Sequence, residues 1–218
     1  MPPKPTNSKK RAEKILSILD GLAPKTEPSL NFSNPFELLV ATVLSAQATD
    51  KLVNKVTPAL FRKYKNAKEL AGARIEELEK CLASVNFYRN KARNLKNCSI
   101  RLVEDFNGRV PDNLKDLTAL PGVGRKTANI VLGNAFGKEA LAVDTHVGRV
   151  ARRLGLTKAT NPDLVEADLT SIIAQKLWTK TTHLFIFHGR STCKARRPLC
   201  AECAISELCE YYAGNGKD

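Results

Sequence analysis

The stretch LPGVGRKTANIVLG, from Leu120 to Gly133, predicts two helices joined by a tight turn. The preceding residues NLKDLTAL have helical spacing, so PGVG forms the turn and RKTANIVL opens the second helix. Gly122 and Gly124 permit unusual backbone angles and a close approach of a ligand. The free N–H groups of the turn and of the next helix can converge on one phosphate, although a G-x-G turn alone more often marks an ordinary helical hairpin.

Two cations, Arg125 and Lys126, begin the second helix, where the helix dipole favours acidic side chains. Because a basic pair at this end costs stability, we interpret the pair as functional. Lys126 fits two interpretations, which are a phosphate contact and a nucleophile. A nucleophilic lysine must first lose its proton, and the positive helix end, the charge of Arg125 and burial would all favour that loss.

A carboxylate that is suited to assist Lys126 occurs in AVDTHVGR as Asp144, followed by Thr145 and His146. Asp144 also precedes the helical pattern THVGRVARRL, so it is equally suited to cap that helix. A capping carboxylate can still act in catalysis, so the two interpretations are compatible.

Four cysteines near the C-terminus have the spacing C-x6-C-x2-C-x5-C. A tetrahedral zinc site usually has two separated C-x2-C pairs, whereas this spacing resembles a compact [4Fe–4S] loop. Two disulfides are the alternative, and an intracellular location disfavours them. The candidate metal ligands are Cys193, Cys200, Cys203 and Cys209.

Other residues of this region separate into two groups. Lys194, Arg196 and Arg197 lie between the first two candidate ligands, and a rigid loop with three cations is suited to contact phosphates. Cys81 and Cys98 are distant in sequence, and we expect them to be plain buried residues.

The composition indicates a polyanion as partner. The chain has 218 residues, a formal net charge of +13 and a pI near 9.6. This excess of positive charge favours nucleic acid or an anionic membrane surface. The most apolar stretch, LLVATVLSA, is too short to span a bilayer, and the N-terminus lacks the apolar core of a signal peptide. We therefore expect an intracellular protein of one large domain or two small ones.

Most of the chain has the spacing of short helices, separated by polar, glycine or proline residues. The helix in SNPFELLVATVLSA begins at a cap, which is Ser33 or Asn34. Sustained strand alternation is absent, and only HLFIFHG is ambiguous between helix and strand. The sequence therefore predicts an all-α fold.

These motifs together resemble the endonuclease III family of DNA glycosylases, within the helix-hairpin-helix superfamily. The resemblance runs from KILSIL to LCEYY and rests on LLVATVLSAQATD, LPGVGRKTANIVL, VDTHVGRVARRLGL and FHGRSTCKARRPLCAECAISELC. Each motif is moderately specific, and all four in this order with this cysteine spacing are highly specific.

The resemblance implies a two-lobed, all-α helix-hairpin-helix glycosylase fold. A six-helix barrel lobe, here residues 28–139, would carry the hairpin, and residues 1–27 plus 140–218 would form an iron–sulfur cluster lobe. The four cysteines would hold a [4Fe–4S] cluster as a structural element. The partner would be damaged double-stranded DNA, bound by a monomeric, cytoplasmic, nucleoid-associated protein of prokaryotic origin.

The resemblance also implies an enzyme of base excision repair, which removes oxidised pyrimidines as a glycosylase and then nicks the strand as an AP lyase. The nucleophilic lysine of the hairpin motif corresponds to Lys126, and the assisting aspartate of V-D-T-H corresponds to Asp144. Gln47 matches the position that enters the space left by an extruded nucleotide, and Phe87 would be a second wedge. The implied DNA-binding residues are Gln47, Phe87, Gly122, Gly124, Arg125, Thr145, His146, Lys194, Arg196 and Arg197.

Two segments depart from the family pattern. The family's GLYNSKA-like segment reads NFYRNKA here, which places Phe87 where a leucine is common, and Thr118 stands where some members have a glutamate. Both departures bear on lesion preference or on how the opposite strand is held.

The two wedge residues also have simpler interpretations. Gln47 would be an ordinary polar residue at a helix end, and Phe87 would be a core aromatic.

Two other functions stay open. Mismatch-specific adenine or thymine glycosylases of the same superfamily typically keep the aspartate but lack the lysine, and the adenine-specific ones usually have an extra C-terminal domain. Here Lys126 is present, and nine residues follow Cys209. A non-catalytic DNA-binding module would use the hairpin and the metal loop for binding alone, which the pairing of Lys126 with Asp144 argues against.

Overall fold

A computed structural model describes residues 5–23 and 28–215, and every regular element in this part of the chain is a helix. The α-helices are α1 (Pro5–Leu22), α2 (Pro35–Ser45), α3 (Asp50–Lys63), α4 (Ala67–Ala71), α5 (Ile75–Leu82), α6 (Tyr88–Phe106), α7 (Leu114–Thr118), α8 (Arg125–Ala135), α9 (Thr145–Arg153), α10 (Pro162–Ile172), α11 (Trp178–Ser191) and α12 (Glu210–Asn215). Short 3₁₀ helices lie at Gln175–Leu177, Cys200–Glu202 and Ser206–Leu208. The predicted all-α class is confirmed, and the ambiguous HLFIFHG lies inside α11. No described helix has an apolar run long enough to cross a membrane.

The chain divides into two compact units. The continuous unit is Pro28–Lys138, and the discontinuous unit combines Met1–Glu27 with Glu139–Asp218. Glu139 therefore belongs to the discontinuous unit, where its carboxylate accepts a hydrogen bond from the Thr179 N–H at 3.0 Å. The roles of the two units as barrel lobe and cluster lobe stay predictions.

The centre of the continuous unit is α2, in which residues 38–44 are all buried. It packs against α3, α6 and α8, as expected for a helix that is hydrophobic all round. Asn34 is its N-cap and accepts a hydrogen bond from the Glu37 N–H at 3.0 Å. The Glu37 carboxylate accepts one from the Ser33 N–H at 2.7 Å, so Asn34, and not Ser33, begins the helix.

The core of the discontinuous unit is formed mainly by α1, α9 and α11. Their apolar residues recur at helical spacing, and each helix turns one face to the others. Arg11 of α1 donates hydrogen bonds to the carbonyls of Leu154 and Gly155, both at 2.8 Å, which ties α1 to the end of α9. The buried residues of these helices include Ala12, Ile15, Leu16, Leu19, Val147, Val150, Ala151, Leu184 and Phe185.

Candidate functional site

The predicted hairpin is present in the continuous unit as α7, a turn and α8. Gly122 has a φ of +77°, and a Cβ atom at this position would lie 2.9 Å from the Cβ of Asn94 on α6. Only glycine fits this combination of backbone angle and close packing. Gly124 is different, because its φ of −88° and ψ of 172° are ordinary extended backbone. The expectation of unusual backbone angles therefore holds for Gly122 and is wrong for Gly124.

Arg125 and Lys126 are the first two residues of α8, and both side chains are exposed. Gly124 is the N-cap and has no side chain to satisfy the N–H groups of this helix end. The opposite side of α8, including Ala128 and Val131, is buried where the helix packs against α2. The helix thus presents two cations and an electropositive end to solvent.

Two further candidates, Gln47 and Phe87, lie in turns of the same unit. Gln47 follows α2 with a φ of 54°, and Phe87 is the N-cap of α6 with a φ of 58°. This left-handed conformation costs a residue with a Cβ atom about 1–2 kcal/mol. Both side chains are exposed, and Phe87 is 61% exposed. The interpretation of Phe87 as a core aromatic is therefore wrong.

Two side chains that the sequence analysis missed hold these turns. The Lys91 ammonium donates to the carbonyls of Leu44 at 2.8 Å and Ala46 at 2.5 Å, at the end of α2. The Asn86 side-chain amide donates to the Gln47 carbonyl at 3.0 Å. Lys91 is only 6% exposed, and this burial lowers the pKa of its ammonium. In the sequence, Lys91 stands on the apolar face of a helix pattern, and this was the only indication that its ammonium would need a buried acceptor.

Asp144 is the N-cap of α9 in the discontinuous unit. Its carboxylate accepts a hydrogen bond from the Val147 N–H at 2.8 Å, and the side chain is half-buried. Thr145 follows as an exposed residue at the start of α9 and stays a candidate DNA contact. His146 is half-buried, and its Nδ1 atom lies 3.2 Å from the guanidinium of Arg149. Asp144 is thus the helix cap that the sequence predicted, and its catalytic role stays a prediction.

The four candidate metal ligands line one cavity of about 360 Å³, a volume that includes the space open to solvent. All four thiols are free and half-buried, and burial raises the pKa of the Cys203 and Cys209 thiols. The paired disulfides considered above are therefore not formed. The other two cysteines lie elsewhere, with Cys81 half-buried and Cys98 buried, and burial raises the pKa of Cys98 to about 12.

The donor set, four free and half-buried cysteine thiols, fits the ligands of an iron–sulfur cluster, which are cysteine thiolates. In a [4Fe–4S] cluster each thiolate binds a different iron, so the sulfur atoms surround a group instead of converging. Four thiols distributed around one cavity match that arrangement, whereas a zinc ion requires a closed tetrahedron.

The cation-bearing loop between the first two cysteines is held from α9. The guanidinium of Arg153 donates to the carbonyls of Lys194 at 2.7 Å and Ala195 at 3.0 Å, and to the Cys193 Sγ at 3.4 Å. Arg149 donates to the Cys193 carbonyl at 3.1 Å and to the Gly189 carbonyl at 2.8 Å. The side chains of the loop cations are exposed, and the residues concerned are Lys194, Arg196 and Arg197.

Known proteins are similar to this chain in both sequence and fold. Residues 40–175 match the family model of HhH-GPD superfamily base excision DNA repair proteins. Endonuclease III of Synechocystis sp. is 50% identical over 207 residues, which cover 94% of this chain and 94% of that protein. A structure of endonuclease III trapped as a covalent intermediate with DNA has a TM-score of 0.89 and 45% identity, over 94% of this chain and 97% of that one. A thermostable thymine-DNA glycosylase has a TM-score of 0.82 and 26% identity, over 97% of this chain and 100% of that one.

Proposed function

Because the chain belongs to the endonuclease III family of helix-hairpin-helix base excision repair proteins, we propose that Lys126 and Asp144 are its catalytic residues. The chain is a DNA glycosylase with AP lyase activity. Its substrates are oxidised pyrimidines in duplex DNA. The observation that carries the assignment of the nucleophile is the exposed Lys126 in the first turn of α8, directly after the glycine turn.

The first step joins Lys126 to the sugar. The damaged nucleotide must leave the base stack before its C1′ atom can be reached. Lys126, as a free amine, attacks C1′, and the bond between C1′ and the base breaks with its electron pair leaving on the base. The two protons of the amine pass to the departing base and to O4′. The C1′–O4′ bond breaks as the sugar ring opens, and an imine remains between Nζ and C1′, which takes a proton from water to become the protonated imine. The relative trapped as a covalent intermediate with DNA supports this route.

Asp144 acts on the charge that this step creates. Positive charge develops on the sugar as the base leaves, and a fixed carboxylate stabilises it. The same carboxylate is suited to accept the proton that Lys126 must lose. The hydrogen bond from the Val147 N–H fixes the carboxylate through its Oδ1 atom, so the orientation of Oδ2 is set by the fold and needs no substrate.

The second step breaks the strand. The protonated imine acidifies the hydrogen on C2′, and loss of that proton places a double bond between C2′ and C3′. The bond from C3′ to its phosphate oxygen breaks, and the phosphate leaves with the electron pair. Water then hydrolyses the imine, which returns the amine of Lys126, so the reaction consumes no external oxidant or reductant.

We assign DNA binding to three groups of exposed residues. The start of α8, with Gly122, Gly124 and Arg125, is suited to a backbone phosphate. The cations of the cysteine loop are suited to further phosphates, because their side chains are exposed and Arg153 already holds the backbone of the loop. Gln47 and Phe87 are the wedges that fill the stack when a nucleotide is extruded, since the vacated space must be occupied to keep the nucleotide out.

We propose that the cavity of the four thiols is the site of a [4Fe–4S] cluster. Each of its ligands, Cys193, Cys200, Cys203 and Cys209, would bind one iron. When bound, such a cluster supplies a rigid cross-link of the segment 193–209. From α9, Arg149 donates to the carbonyl of the first ligand, Cys193, and Arg153 donates to its Sγ atom, so the loop and the helix that Asp144 caps are one structural element.

The thymine-DNA glycosylase of similar fold makes mismatch excision the alternative to test. Duplexes with thymine glycol, a G·T mismatch, an A·G mismatch or a preformed abasic site separate the candidates. We expect base release and strand cleavage on thymine glycol, and cleavage at the abasic site. Release of a mismatched base without cleavage would instead assign a monofunctional mismatch glycosylase, and intact strands in every duplex would assign a binding module.

A further inference from the structure

The two wedge residues lie in turns of the same kind. Gln47 lies in the turn after α2, and Phe87 is the N-cap of α6. Both adopt a left-handed backbone although neither is glycine. Residues of this size keep such a conformation only where neighbouring groups hold it. The structure identifies these neighbours, since the two turns are joined to each other directly.

Three hydrogen bonds connect the two turns. The Asn86 amide, adjacent to Phe87, donates to the Gln47 carbonyl at 3.0 Å. Lys91, one turn further along α6, donates to the carbonyls of Leu44 and Ala46. These carbonyls belong to the end of α2, where backbone acceptors have no partner within the helix, and a buried ammonium satisfies two of them. Both donors therefore lie at the start of α6, Asn86 directly before the N-cap and Lys91 at the end of the first turn.

We propose that Asn86 and Lys91 are positioning residues, which join the Gln47 and Phe87 turns into one rigid wedge before DNA is bound. This inference rests on the proposed wedge function of Gln47 and Phe87. A wedge that is ordered in advance loses less entropy when it enters the stack, so extrusion of the damaged nucleotide is favoured. Neither residue touches the reacting atoms, and both act through the position of the wedge.

Asn86 is a departure from the GLYNSKA-like segment that this part of the chain resembles. In GLYNSKA the corresponding position is a glycine, which has no side chain to donate, whereas NFYRNKA provides an asparagine. The lysine is present in both segments. The chain thus combines a larger wedge residue, Phe87 in place of leucine, with an additional hydrogen bond to the opposite turn.

The same helix also contacts the hairpin. Asn94 lies on α6 three residues after Lys91, on the same side, and it packs against Gly122 so closely that no Cβ atom fits between them. One rigid helix therefore sets the spacing between the wedge and the turn that precedes Lys126. A shift of α6 that moved the wedge would also disturb the contact between Asn94 and Gly122.

The test compares Asn86→Ala and Lys91→Met with the control Lys96→Met. Lys96 lies on the same helix and donates to the Ala73 carbonyl at 2.8 Å, so its loss removes a similar bond at a different place. The first measurement is hydrogen exchange of the backbone amides in residues 45–49 and 86–90. We expect faster exchange in Asn86→Ala and Lys91→Met, and wild-type exchange of these segments in Lys96→Met. Unchanged exchange in a folded Asn86→Ala would overturn the proposal.

The second measurement is single-turnover excision of thymine glycol, compared with cleavage of a preformed abasic site. Asn86→Ala should slow excision about two- to twelvefold, the range that corresponds to one net hydrogen bond, and should slow cleavage less. In a background with both Gln47→Ala and Phe87→Ala, the same substitution should have no further effect, because both positioned side chains are already absent. A full additional loss in that background would overturn the positioning role.

The two proposals fail in different ways. If Gln47→Ala and Phe87→Ala leave excision unchanged, the wedge function is wrong, whereas the exchange measurement still decides whether the link exists. If these two substitutions slow excision but Asn86→Ala does not, the wedge function stands and the positioning role is wrong. Asn86 is exposed, so its substitution tests the link even if Lys91→Met does not fold.

Discussion

The carboxylate of Asp144 accepts a hydrogen bond from the Val147 N–H at 2.8 Å, so the proposed electrostatic partner of the nucleophile is also the N-cap of α9. Asparagine caps a helix about as well as aspartate, whereas alanine does not. The charge and the cap can therefore be separated by substitution at one position.

Asp144→Asn should slow base excision about a hundredfold, because the developing positive charge on the sugar loses a fixed carboxylate. Cleavage at a preformed abasic site should fall less, since no base has to leave. The rates are measured in single-turnover assays on the two substrates, with thermal unfolding as control. Unchanged rates on both substrates in a folded variant would assign Asp144 to the cap alone. Asp144→Ala should in addition lower the free energy of unfolding by about 0.5–2 kcal/mol.

Lys126→Gln should abolish the covalent adduct that borohydride traps between the protein and damaged DNA, because the amide nitrogen cannot form an imine. Binding of the damaged duplex should persist, since the α8 terminus and its N–H groups remain. Lys115→Gln is the matched control, as Lys115 is an exposed lysine on α7 of the same hairpin. Undiminished trapping by Lys126→Gln would place the nucleophile on another residue.

Protein purified without oxygen should be brown and contain about four iron and four sulfide per chain, as a [4Fe–4S] cluster requires. Cys200→Ser should lower the iron content, whereas Cys81→Ser should not, because Cys81 lies on α5 outside the cavity. Iron analysis and the visible absorption spectrum report both results. Zinc in place of iron in such a preparation would contradict the assignment.

Replacing Lys194, Arg196 and Arg197 by glutamate should weaken DNA binding and flatten its dependence on salt. Each lost phosphate contact lowers the slope of log K against log salt concentration by about 0.9 on duplex DNA. Binding is measured between low and moderate salt, with the exposed Lys158→Glu as a control in the same unit. A slope that matches the wild type would exclude this loop from the DNA contact.

Phe87→Ala should reduce excision from duplex DNA while stability stays nearly constant. Phe87 is 61% exposed, and surface substitutions usually change the free energy of unfolding by no more than about 0.5 kcal/mol. Denaturant unfolding and single-turnover excision are measured on the same preparation. A large loss of stability with unchanged activity per folded molecule would show that the ring supports the fold instead of the DNA.

The sequence predicted the elements that depend on local chemistry. The hairpin follows from glycine and helical spacing, the start of α2 from Asn34 and Pro35, and the cysteine cavity from ligand spacing. The conformations of Gln47 and Phe87 did not follow, because local preferences reserve the left-handed region mainly for glycine.

What holds those two turns is non-local. The Lys91 contact spans 47 residues and the Asn86 contact spans 39, so no short pattern contains both partners. The contact between His146 and Arg149 was missed for another reason, since its geometry depends on where α11 places the Gly189 carbonyl. Spacing identifies which residues share a face, and it does not identify the acceptor that each side chain finds.

The hydrogen bonds of Arg11 determine when, during translation, the discontinuous unit can finish folding. Arg11 binds the carbonyls of Leu154 and Leu208, which follow it by 143 and 197 residues. The segment Pro28–Lys138 is therefore fully translated while α1 still lacks its partners, and the apolar face of α1 stays without cover until α9 and α11 have emerged. A nascent chain that stops before Cys193 lacks Leu208, whose carbonyl is the second acceptor of Arg11. It also lacks all four cysteines of the cavity. Completion of the discontinuous unit therefore waits for translation of residues 139–209.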